Sequence, residues 1–122
     1  MAFPVEEIPN EANLFRKIHP NFFNKETGRV SSAAFGQERM SVNWEKYRSA
    51  EGSTDEKSAV VVALLAGDCR EINQTVEHTP VEPDQEFGPN QSHAEVCGKK
   101  TGSVKTKLKD KARIVWRRAE GS

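Results

Sequence analysis

Seven consecutive apolar residues, Ala59-Val60-Val61-Val62-Ala63-Leu64-Leu65, stand out in a chain that is otherwise strongly polar. Three adjacent valines favour a pleated backbone over a helix, and the run is bounded by polar residues. Such a run predicts a central strand buried on both faces, so other parts of the chain must cover each side of it. Even with Ala66 included it is far too short to cross a bilayer.

Shorter segments around it complete a sheet. Asn13–His19, stopped by Pro20, reads as a first strand, with a short helix over Glu11–Ile18 as the alternative. Met40-Ser41-Val42-Asn43-Trp44 alternates apolar and polar residues, the period of a half-buried strand. Val30–Phe35, Thr75–Thr79 and His93–Cys97 read as further strands. Asn21–Arg29, Glu45–Lys57 and the proline-rich Pro80–Pro89 read as loops, the second with one helical turn. Phe3–Pro9, held by two prolines, reads as an extended wrap over the surface. Asp68 would cap a short middle helix over Cys69–Asn73.

The other strong signal is Gln91–Arg118, a strand, a glycine-rich turn and a basic amphipathic helix. Ser103 is the expected N-cap, and Val104, Leu108, Ala112 and Val115 recur at helical spacing, flanked by Ile114 and Trp116. Short strands with one strong terminal helix and no βαβ rhythm predict an α+β fold: a small mostly antiparallel or mixed sheet, a short middle helix and a C-terminal helix packed on it. A length of 122 residues fits one domain. Residues 1–118 are expected to form it, with 119–122 as a short tail.

Net charge is zero, with 18 Lys/Arg against 18 Asp/Glu, but the charges are segregated. Lys99–Arg118 holds nine cations against Asp110 alone, while residues 1–98 are net acidic. Lys99, Lys100, Lys105, Lys107, Lys109, Lys111 and Arg113 are therefore the candidate binding residues, for an acidic protein partner or for nucleic acid or phosphate. Complementation by the chain's own acidic body is the competing explanation. The N-terminus lacks a basic segment followed by an apolar one, and Cys69 and Cys97 have no metal spacing. Both features fit a reduced cytoplasmic protein without a membrane segment.

No complete catalytic motif is present. Gly98-Lys99-Lys100-Thr101 fails as a phosphate-binding loop, because His93 and Lys100 stand where Gly and Ser/Thr are needed. His93-Ala94-Glu95 lacks the downstream Pro-Cys-x-x-Cys of the zinc deaminases. His78, His93 and Cys97 are a sparse metal set, so no metal or other cofactor is expected. Cys97 beside Lys99 and Lys100 would be activated if exposed and inert if buried. A looser set, Arg16, Ser31, Ser32, His78 and His93, would form a nucleotide or phosphate cleft if their strands converge.

Leu14–Arg16 and Gly28–Ser32 are similar to the arginine strand and serine element of small split-sheet ADP-ribosyltransferase-like domains. No glutamate on a matching motif accompanies them, which leaves that activity without its catalytic carboxylate. The strings EEIPNEANLFRKIHP, GRVSSAAF, MSVNWEKY and SHAEVCGKKT resemble those of small bacterial proteins of unassigned activity. That resemblance implies a compact bacterial domain and supplies no cofactor or site. The expectation is a non-catalytic protein-interaction or accessory domain. The alternatives are a small enzyme using the Arg/Ser/His set and a nucleic-acid binder using the basic helix.

Overall fold

The computed structural model describes residues 3–82 and 89–119. Eight strands and two α-helices follow one another along the chain. They are β1 (Asn13–Ile18), β2 (Phe23–Asn24), β3 (Arg29–Val30), β4 (Arg39–Trp44), β5 (Val60–Leu65), α1 (Ala66–Glu71), β6 (Thr75–His78), β7 (His93–Cys97), α2 (Gly102–Lys111) and β8 (Arg113–Arg117). Six strands form one antiparallel sheet in the order β6-β7-β4-β1-β5-β8, and β2–β3 is a separate hairpin. This is the α+β fold expected.

The apolar run is an interior strand, as its composition requires. Val60, Val62 and Leu64 enter the main core with Leu14, Ile18, Met40, Val42, Ala94 and Val96. Val61 and Ala63 meet Phe15 on the reverse face, where Trp116 and Ala50 pack against them. Two helices and the 3-10 turn at Ser32–Phe35 complete the main core, to which they contribute Cys69, Leu108 and Phe35, all 0 % exposed. The reverse face is covered only in part, by the 45–57 connection. Its remainder is polar.

Four expectations need correction. The segment Val30–Phe35 is not a strand: only Arg29 and Val30 pair, and the Ser31 hydroxyl then accepts the Ala33 N–H at 3.2 Å and caps a 3-10 turn. Serine hydroxyls compete locally for backbone donors, and alanine adds little strand preference. The Asn21–Arg29 segment is a hairpin rather than a loop. Asn24 closes it by accepting the Glu26 and Thr27 N–H groups, and Gly28 follows at φ 71°. The middle helix begins directly after β5, with Leu65 at its N-cap and Asp68 inside the first turn, where its charge suits the helix dipole.

The last correction matters most. The C-terminal helix is capped by Thr101, whose hydroxyl accepts the Val104 N–H, and it stops at Lys111. Arg113–Arg117 then runs antiparallel along β5. A strand buried on both faces cannot leave its backbone groups bare, and Ile-Val-Trp is a strong strand formula. Pairing with β5 therefore outweighs continuation of the helical stripe, and Val115 is 43 % exposed instead of buried.

Candidate interaction surface

The basic C-terminal unit reaches the surface in two elements joined at Ala112. On α2, Leu108 is fully buried, while Val104 and Ala112 pack more loosely against the core. The pairs Lys105/Lys109 and Lys107/Lys111 are each four residues apart, so they flank that stripe on either side. On β8, Arg113 donates to the Asn13 side chain at 2.6 Å. Arg117 donates to the Lys25 carbonyl at 3.2 Å and lies over the Phe23 ring. Arg118, just beyond, donates to the carbonyls of Ser58 and Asp55 and lies over Trp116.

Lys100 belongs to the scaffold. Its ammonium group donates to the carbonyls of Glu38, Val96 and Gly98 at 3.0–3.1 Å, and burial lowers its pKa. Lys99 is exposed at the turn. The other cations extend around the hairpin. One recess of about 710 Å³ brings Lys25, Arg29 and Lys109 together. A second, of about 810 Å³, is lined by His19, Phe23, Lys25, Lys57, Arg117 and Arg118, with Glu56 as its single acid.

Ion pairing tests whether the acidic body neutralises this surface. Among the described residues the ion pairs are Lys17–Asp55, Arg39–Glu77, Arg39–Glu95 and Lys46–Glu6. None involves a cation of Lys99–Arg118. Those cations are held by neutral oxygens or face solvent.

The edge of the sheet lies in the same region. β8 pairs with β5 on one side only. Val61 faces Trp116 while Val62 faces Ile114, so Val115 is an extra residue in a bulge. Ile114 and Val115, 44 % and 43 % exposed, are therefore presented between Arg113 and Arg117.

The Arg/Ser/His set does not form one cleft. Ser31 and Ser32 start the 3-10 turn on the core side. His78 is buried on the core side too, between Trp44 and Tyr47, accepting the Glu6 N–H at Nδ1 and donating from Nε2 to the Gln91 carbonyl at 2.7 Å. His93 occupies the opposite face of the sheet. Only Arg16 and His93 share a recess, together with Arg48, which sequence reasoning missed. No local motif marks Arg48, since the fold of the 45–57 connection is what carries it over the sheet.

Cys97 lies on the His93 face and His78 on the other, and among the described residues no group of three or more His, Cys, Asp or Glu side chains converges. Burial, with Glu77 next, pushes the Cys97 thiol up to about 11, and burial pushes Cys69 up to about 12. Both are thiols rather than nucleophilic thiolates at neutral pH. Residues 83–88 of the proline-rich loop lie outside the described residues, and Val81 bridges Asn90 across its base. Among the described residues no helix is long and apolar enough to cross a membrane. Compared with protein-family models, curated proteins and solved structures, the chain matches none.

Proposed function

We propose that this domain is a non-catalytic, cytoplasmic interaction module that captures an acidic, extended protein segment along β8 and α2. The observation that carries this reading is the lack of any carboxylate partner, among the described residues, for the nine cations of Lys99–Arg118. Segregated charge of one sign raises encounter rates with an oppositely charged partner and selects against others.

The edge of β8 gives the partner its form. An added strand would take up the outward N–H and C=O groups, and its apolar side chains would cover Ile114 and Val115. A second copy of this chain is a poor occupant, because antiparallel pairing about Val115 sets Arg113 against Arg117. Carboxylates at those positions complement both arginines.

The test is a titration of the protein with a labelled peptide of alternating Glu and Val, beside the same peptide N-methylated on alternate residues and a single-stranded oligonucleotide. The plain peptide is expected to bind, to weaken as salt rises, and to lose most of its affinity to Lys109→Glu and to Arg113→Glu. The methylated peptide, unable to complete the ladder, is expected to bind far more weakly. Unchanged affinity in both charge-reversal variants would overturn the reading. An oligonucleotide that binds where the peptide does not would replace it with nucleic-acid binding.

A further inference from the structure

The sheet has a flaw at its centre. β1 and β4 pair only at Leu14–Trp44 and Phe15–Asn43, and then the strands part. The Arg16 guanidinium fills the gap, donating to the carbonyls of Ala34 and Ser41 at 3.1 and 2.9 Å and to the Gln37 side chain at 3.2 Å. Burial lowers its pKa to about 10, so it remains a cation at neutral pH. Five N–H groups minus these three bonds leave two to donate.

On the outer face the gap opens into a recess of about 200 Å³ beneath the 45–57 connection. Arg16, Lys17, Arg48 and His93 line it with serine, threonine and asparagine side chains, and no carboxylate does. Lys17 is engaged with Asp55 at 3.0 Å. The Arg48 guanidinium is not engaged: half-buried, it has no hydrogen-bond or ion-pair partner among the described residues. Its stem lies across Gly52, where an added Cβ would come within 3.2 Å of the arginine Cγ.

His93 completes the polar lining. Its Nδ1 lies 2.9 Å from the Thr79 carbonyl and 3.0 Å from the Thr79 hydroxyl. Its Nε2 lies 3.3 Å from the Ser41 hydroxyl at the recess.

We propose that this recess binds a tetrahedral oxyanion of the phosphate-monoester class. Its arginines stand on two separate elements, β1 and the 45–57 connection, with His93 of β7 beside them, and no carboxylate lines it. The volume is below the roughly 300–1,000 Å³ of sites that enclose a whole small molecule, so a head group enters and the remainder lies over the open sheet face. The site is separate from β8 and does not depend on the acidic-segment reading.

The experiment follows the two buried-sheet histidines by their Cε1–H resonances as inorganic phosphate is added to the whole protein at constant ionic strength. A saturable shift of His93, with His78 still, is expected. Arg48→Gln, which removes no contact of the fold, should weaken binding about tenfold without changing the melting temperature. Methyl phosphate should bind as well as inorganic phosphate. The proposal is overturned by the absence of saturation, by an equal response to chloride or acetate, or by full affinity in Arg48→Gln. Phosphate binding without methyl phosphate binding would overturn the monoester class.

Discussion

Lys100 shows how a side chain that reads as a ligand site becomes part of the frame. It stands in a glycine-lysine turn before a helix, yet its three donors go to the carbonyls of Glu38 just before β4, Val96 of β7 and Gly98 of the turn. Lys100→Met leaves those acceptors short of a donor and should cost about 1–3 kcal/mol in chemical denaturation. Gly98 is equally constrained. Its φ is +149°, and a Cβ there would come within 2.6 Å of the buried Gln74 Oε1, so Gly98→Ala should be destabilising by a similar amount, about 1–3 kcal/mol. Asp55 acts through pH. Lys17 first, then Ser58 and the Lys57 N–H, hold its carboxyl well below the usual range. A depressed folded pKa gives stability that is present above the unfolded value, about 4, and lost as pH falls below it. Asp55→Asn should flatten that acid-side loss, measured as melting temperature against pH from 6 to 2.

Among the elements, α2 and β8 mark where sequence reasoning succeeds and where it stops. The stripe Val104, Leu108, Ala112, Val115 is compatible with one long helix, but only its first three residues pack on the core. Leu108→Asp should therefore destabilise the fold by about 3–5 kcal/mol, while Val115→Asp should stay within about 0.5 kcal/mol. Equal effects on thermal melting would mean that the helix does not end at Lys111. β1, β4, β5, β6 and β7 were legible because their patterns are local: an apolar run, period-two alternation, a proline stop. The 3-10 turn at Ser32–Phe35 was not, because the burial of Phe35 depends on what α2 brings to the same place. β8 was hidden for a related reason. Its partner is an open edge of β5, and no local pattern states that an edge is open. The same limit applies to the recess: Arg16 and His93 were singled out one by one, but the parting of β1 and β4 that joins them to Arg48 is a property of the assembled sheet.

At the scale of the molecule, the strand order β6-β7-β4-β1-β5-β8 joins sequence neighbours only once, at β6–β7. The other four ladders close long loops, and such topologies fold in milliseconds to seconds rather than microseconds. Stopped-flow refolding followed by the fluorescence of Trp44 and Trp116 should fall in that range, and a microsecond phase carrying the whole amplitude would contradict this topology. The ladder of β8 has a further consequence, in the time domain. A strand bonded on one side opens at a lower free energy than a strand bonded on both, so amide protons of Ile114–Arg117 should exchange with solvent well before those of Val60–Leu64. The C-terminal edge is thus the first part of the sheet to open. Any strand added to it would slow that clock, and deuterium uptake in β8 alone would report its arrival.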